Sequence, residues 1–369
     1  MNWRKTLVAA TAIAAGAITL NAGATAQDKE ATPEAPARPT YSSDGTAHVP
    51  AFDLPPSNLM SKEAAAMMAL RAKSDLAAPA PAQDISVARA QMEEALAPVV
   101  AMMKAQYPVN IAEKRIAGVP TRIFTPKDAP VDPDRVLINL HGGGFSLCAI
   151  ACAMLESIPI AATGGFKVVS VDYRMAPEYK HPASVEDVAA VYRKLLKRYR
   201  PGQIGIYGCS AGGAITAQAA AWFATHDMPQ AGAIGIFGAG AVPFGSGDSA
   251  YIAGYAEGSF PPPRERGKDP VRALMRGYFS DEDMEDPIVS SGFHRDLLAK
   301  FPPSLVITGT RAMDMSPAIY TNSQLLSAGV ASTLIVADGM GHCYTYFPNT
   351  PESKDAYEVI VRFFKDNLG

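Results

Sequence analysis

Four cysteines in 369 residues are too few for a disulfide scaffold. No Cys or His pair has zinc-ligand spacing with a second pair to match, so metal ligation has little support. Charge of one sign is missing as well. Lys plus Arg total 33 against 36 Asp plus Glu, a net charge of -3. That balance offers no field to draw nucleic acid or an anionic membrane, and neither is expected as a partner. Past the first residues there is no apolar run of the ~20 residues that a bilayer span needs. What is present is core material. Hydrophobic residues make up 48% of the chain, which excludes wholesale disorder. At ~150 residues per domain the length allows one large domain or two small ones.

Residues 1–26 read as a secretory signal. Arg4 and Lys5 form a basic start, Leu7 to Leu20 is apolar apart from small Thr and Gly residues, and Ala24-Thr25-Ala26 supplies a small-x-small cleavage site. The expectation is an exported protein, periplasmic or secreted, with no stable membrane span after cleavage. Residues 27–57 are rich in Ala, Pro and Thr and lack periodic apolar positions, which predicts a flexible tether. Residues 58–108 follow as a helical cap. Apolar residues recur at helical spacing over Ser61–Arg71 and Ile85–Met103, with Pro98 expected as a break. The methionines there (Met67, Met68, Met92, Met102, Met103) read as adaptable core and suit the lid of a greasy pocket.

From 109 to 369 the pattern becomes that of one α/β domain. Val109–Ala117 and Thr121–Thr125 read as an antiparallel pair around Gly118. Short β-branched runs then recur at Arg135–Leu140, Lys167–Asp172, Gln203–Tyr207, Ala233–Phe237, Ser304–Thr308 and Thr333–Ala337. Helical stretches separate most of them: Ser184–Tyr199 with Ser184 as N-cap, Ala211–Ala224, Pro317–Ala328 and Ser353–Leu368. Such alternation predicts a mostly parallel central sheet flanked by helices. Residues 241–301 break the rhythm and read as a cap-like insertion near the site.

Gly208-Cys209-Ser210-Ala211-Gly212 matches G-x-S-x-G. The motif alone is weak, but it directly follows a strand and directly precedes an Ala-rich helix, the setting in which it presents a nucleophile. Glycines at 208 and 212 let neighbouring backbone pass a sharp turn, and Ser210 projects at a helix N-terminus. His141-Gly142-Gly143-Gly144-Phe145 follows the strand ending at Leu140. Three consecutive glycines make sense where backbone N–H groups must approach a ligand, as in an oxyanion hole. The Gly143 and Gly144 amides are the candidate donors, joined by that of Ala211. His141 and Gly142 then support the loop, His141 as a brace and not a base. A phosphate-binding reading is poor, because neither glycine fingerprint for it is present.

Of six histidines, His342 follows the last strand and precedes the last helix, where the base belongs in the order Ser, Asp/Glu, His. His48 lies in the tether, His181 in a Pro-flanked loop, His226 at a helix end and His294 in the insertion. The acid is expected just after Ser304–Thr308, where Asp314 is the one carboxylate. Its task would be to accept the His342 Nδ1–H and fix the tautomer. Asp338 is expected to point elsewhere.

Together these segments resemble the hormone-sensitive-lipase-like group of the α/β-hydrolase fold, the bacterial family IV esterases. The resemblance runs from about Val136 to the C-terminus. It rests on His141–Phe145, on Val171-Asp-Tyr-Arg-Met-Ala-Pro-Glu178 continuing to His181-Pro182-Ala183, on Gly208–Gly213, and on Asp286-Pro287. It implies hydrolysis of short- to medium-chain carboxylic esters, without metal or cofactor, under an N-terminal cap. It further implies pairing into a homodimer, and a structural role beside the site for Asp172, Arg174 and Glu178. Two departures stand out. Cys209 occupies a place usually held by Asp or Thr, and Ala312 occupies the usual place of the acid, two residues before Asp314.

Cys148 and Cys152 are four apart, and Cys209 and Cys343 each neighbour a candidate catalytic residue. Pairing in an oxidising compartment and small buried thiols both fit. The leading expectation is a serine carboxylesterase acting through an acyl-enzyme. Amide, lactone or polyester hydrolysis by the same triad is an alternative. A non-catalytic binding protein on this fold is another, prompted by the displaced acid.

Overall fold

The computed structural model describes residues 38–71, 84–257, 272 and 275–369. The signal expected at 1–26 and the start of the tether lie outside the described residues. The chain divides into two units, Met1–Asp53 and Leu54–Gly369. In the first, β1 (Thr40–Tyr41) and β2 (Ala47–His48) form a small, exposed antiparallel hairpin. The second unit begins at Leu54, a little before the Asn58 expected. Arg311 donates to the Pro55 carbonyl and Ser57 Oγ to Asp338, which ties this stretch down.

The second unit opens with α1 (Lys62–Arg71) and α2 (Ile85–Gln106). Asp84 caps α2 by accepting the Ser86 N–H at 2.7 Å. The break expected at Pro98 does not occur. Proline removes one backbone donor there, while Val100 and Met103, buried beyond it, anchor the last turns in the core. β3 (Val109–Ile116) and β4 (Val119–Pro126) pair as expected, and the two-residue turn between them has both Ala117 and Gly118 at positive φ.

The sheet continues with β5 (Val136–Leu140), β6 (Lys167–Val171), β7 (Ile204–Cys209), β8 (Ala233–Phe237), β9 (Ser304–Gly309) and β10 (Ser332–Ala337). The strand order is β10-β9-β8-β7-β5-β6-β4-β3, and the six strands from β10 to β6 are parallel. β5, β7, β8 and β9 are buried along their whole length, which helices on both faces require. On one face α3 (Ala151–Gly164) and α9 (Pro351–Asn367) share a core with α2. On the other lie α4 (Ala183–Leu195), α5 (Ala211–Thr225) and α8 (Met315–Ser327). The 241–301 insertion contributes α6 (Ala253–Glu257) and α7 (Arg295–Leu298).

Several helix ends fall a few residues from expectation: α2 runs on to Gln106, α4 stops at Leu195, α9 starts at Pro351, and the starts of α4 and α8 also differ. Ser184 is not the N-cap of α4. The helix starts at Ala183, and Ser184 sits inside its first turn with its N–H given to the Tyr278 hydroxyl at 2.8 Å. α8 starts at Met315, ahead of Pro317, which occupies the first turn where its missing N–H costs nothing. No helix among the described residues is long and apolar enough to cross a membrane.

Candidate active site

Because the central strands are parallel, the loops after their C-terminal ends gather on one rim. β5 and β7 are neighbours with Leu140 opposite Gly208, so the glycine loop and the serine turn begin side by side. A Cβ on either Gly208 or Gly212 would collide with the Leu140 carbonyl, which is why both positions stay bare. Ser210 adopts φ 58° and ψ -124°, a strained region for an L-residue. Its N–H donates to the Phe237 carbonyl at 2.9 Å, and α5 begins at the next residue.

The three candidate residues meet. His342 Nε2 lies 2.9 Å from Ser210 Oγ, and His342 Nδ1 lies 2.6 Å from Asp314 Oδ1. Asp314 is fully buried, and its Oδ2 accepts the Thr308 hydroxyl at 2.6 Å. With Nδ1–H given to Asp314, the lone pair of Nε2 faces the serine hydroxyl. The acid reaches His342 from two residues beyond Ala312 for a local reason. The chain folds back after β9, with the Ala312 N–H on the Gly309 carbonyl at 3.1 Å, and Asp314 then stands at the N-cap of α8. Asp338 is engaged elsewhere, by Ser57 and by Thr310 at 3.3 Å.

In the glycine loop Gly143 has φ 111°, a conformation closed to other residues. Among the described residues, the amides of Gly143, Gly144 and Ala211 donate to no backbone or side-chain acceptor. His141 is fully buried, stacked on Tyr173 with centroids 4.3 Å apart, and its Nδ1 lies 2.8 Å from the Gly142 carbonyl. Burial pulls its pKa below the usual histidine value, as suits a neutral brace. The Tyr173 hydroxyl donates to the His141 carbonyl at 2.6 Å. The rest of that segment is structural too. Arg174 grips Asp187 and Glu186, while Arg89 of α2 binds Glu178 with both arms at 2.8 Å and also reaches the Ser146 and Ala176 carbonyls.

The cysteines pair, Cys148 with Cys152 and Cys209 with Cys343, at Cα separations of 5.4 and 6.2 Å. The buried-thiol alternative is thereby excluded. The second bridge joins the residue before Ser210 to the residue after His342. One residue of consequence escaped the sequence reading. Glu156 of α3 is buried, and its carboxylate accepts from Asn139 Nδ2 and the Gly142 N–H, both at 2.8 Å, from the Tyr346 hydroxyl at 2.6 Å and from the Cys209 N–H at 3.2 Å. Its one visible signal is an acid alone in an otherwise apolar run.

A cavity of about 160 Å³ opens beside His342, walled by Met60, Met67, Met68, Met340, Tyr344 and Phe347. Arg311 also lines it but gives its guanidinium to the Pro55 carbonyl.

The α/β-hydrolase-fold family model matches residues 137–346. The chain belongs to the α/β-hydrolase family. It is 29% identical over 244 residues to an acetyl-hydrolase of Streptomyces hygroscopicus, covering 64% of this chain and 77% of that one. Esterase E25 superposes with a TM-score of 0.73 at 26% identity, over 87% of this chain and 99% of its own. An esterase of the bacterial hormone-sensitive lipase family gives 0.71, also at 26%, over 84% and 99%. Further curated relatives align over a smaller part, such as 36% and 30% of their own lengths. The hydrolase thus stands with the hormone-sensitive-lipase-like esterases, as a carboxylic ester hydrolase.

Proposed function

We propose that this hydrolase is a serine carboxylesterase working through an acyl-enzyme on short- to medium-chain esters. The observation that carries the reading is the relay from Ser210 Oγ through His342 to buried Asp314, at 2.9 and 2.6 Å. His342 Nε2 takes the hydroxyl proton as Ser210 Oγ attacks the ester carbonyl, and Asp314 stabilises the imidazolium that forms. The Gly143, Gly144 and Ala211 amides receive the oxyanion. His342 returns the proton to the departing alcohol, and a water activated by the same histidine releases the acid.

The methionine-lined cavity beside His342 suits an apolar acyl chain. Asp314 at 2.6 Å from His342 favours the catalytic reading over a non-catalytic binding protein on this fold. Export belongs to the same proposal, and two disulfides suit an oxidising compartment. N-terminal sequencing of the exported protein is expected to begin near Gln27. The main test is hydrolysis of p-nitrophenyl butyrate together with labelling by a fluorophosphonate. Wild type should do both and Ser210→Ala neither; hydrolysis that survives the substitution sinks the mechanism.

A further inference from the structure

The surroundings of Glu156 reach beyond the triad and the oxyanion amides. An ionised carboxylate offers about four acceptor positions, and four donors occupy them here. Oε1 receives the Gly142 N–H and the Tyr346 hydroxyl; Oε2 receives Asn139 Nδ2 and the Cys209 N–H. The Asn139 amide is fixed in this orientation because its Oδ1 accepts the Ser170 hydroxyl at 2.7 Å. Three of the four donors are N–H groups that cannot accept in return. Burial nevertheless pushes the Glu156 carboxyl up to about 7, against the four hydrogen bonds that draw it down.

The donors come from four segments: the end of β5, the glycine loop, the residue before Ser210 and the loop after His342. Fixing the Gly142 N–H sets the peptide plane immediately ahead of the Gly143 amide. Fixing the Cys209 N–H does the same just ahead of Ser210 and Ala211. We propose that Glu156 is a positioning residue of this hydrolase: its buried carboxylate clamps the oxyanion loop to the nucleophile turn and keeps the three amides aimed at the reacting carbonyl. The proposal rests on the serine-esterase reading above. Charge-assisted bonds to backbone N–H groups are the strong kind, and oxyanion stabilisation is sensitive to aim.

Glu156→Gln tests it. The amide keeps the shape, but whichever way it turns, its NH₂ faces at least one N–H donor, that of Gly142 or those of Asn139 and Cys209. The readouts are kcat and KM on p-nitrophenyl butyrate, and inhibition by a trifluoromethyl ketone that adds to Ser210 as a charged tetrahedral adduct. The expected result is a kcat lower by about tenfold to a hundredfold, with KM little changed and the ketone's affinity falling in step. A folded variant with unaltered kcat and ketone affinity would overturn the proposal. A wild type that neither hydrolyses the ester nor reacts with a fluorophosphonate would instead overturn the esterase reading. Should Glu156→Gln fail to fold, Tyr346→Phe removes one donor and leaves both backbone clamps. It should lower kcat by about twofold to tenfold at constant KM, and no change in kcat would count against the clamp.

Discussion

The strand-end loops and the two N-terminal helices are secured by different means. Around Ser210 and His342 the chain is fixed by a disulfide, by a buried aspartate and by a glutamate with every acceptor position filled. The helices are held by a few side-chain ties, the Arg89 grip on Glu178 among them, and by Val100 and Met103 in the core. Ser61 holds Glu352 through its N–H at 2.7 Å and its hydroxyl at 2.8 Å, and Glu93 accepts the Ala151 N–H at the start of α3 at 2.7 Å. Between those ties, Met67 and Met68 help line the cavity beside His342. Directional bonds fix atoms to a fraction of an ångström, whereas methionine contacts are dispersive and tolerant of shape. The difference separates chemistry from fit. Changes in the first region should act on kcat, and changes in the second on KM and chain-length preference.

The largest effect should come from Ser210→Ala, a loss of kcat on the order of a millionfold by steady-state assay. Next is Asp314→Asn, which preserves shape but offers His342 the wrong partner, with a loss on the order of ten-thousandfold. An Asn variant that remained active would move the acid elsewhere and break the first half of the comparison. Removing the Cys209–Cys343 bridge with paired serines opens a loop with a sequence separation of 134. In the chain-entropy view that costs about 5 kcal/mol, against about 2 kcal/mol for the local Cys148–Cys152 bridge, measured by denaturant unfolding.

The fourth prediction concerns pH. Glu156 binds its proton more tightly folded than unfolded, with a carboxyl raised from 4.5 to about 7. Its contribution to stability is therefore full below pH 4.5, declines as pH rises toward 7, and levels off above. The total decline is about 3 kcal/mol. The stability difference between wild type and Glu156→Gln should trace that slope, and a flat difference would contradict the shift. The smallest effect is that of Met67→Ala. It should alter KM for longer acyl esters by less than about tenfold and leave kcat on acetate esters alone. A large kcat change there would erase the distinction between the regions.

Much of this was legible in the sequence, and the exceptions have physical causes. All six parallel strands were visible as short apolar, β-branched runs, and Ser210 and His342 were marked by the turns around them. Asp314 could be chosen as the one carboxylate after β9, although its reach depends on the fold-back at Ala312, which no local pattern reveals. α3 was missed because it is buried on nearly every side and has no polar stripe to betray its period. Glu156 went with it, since its partners are backbone N–H groups, Asn139 and Tyr346, brought together only by the sheet. Cysteine pairing was undecidable for the same reason. Two residues 134 apart are joined by the tertiary fold, not by spacing.

The bridge between Cys209 and Cys343 also turns the segment from β8 to β10 into a covalent ring with two tails. A protease that nicks this ring once, for example at exposed Asp281, yields two fragments that travel together until a reductant is added. Scission of the backbone and separation of the nucleophile from its base are then different events. The enzyme can be cut between Ser210 and His342 without the two becoming separate molecules.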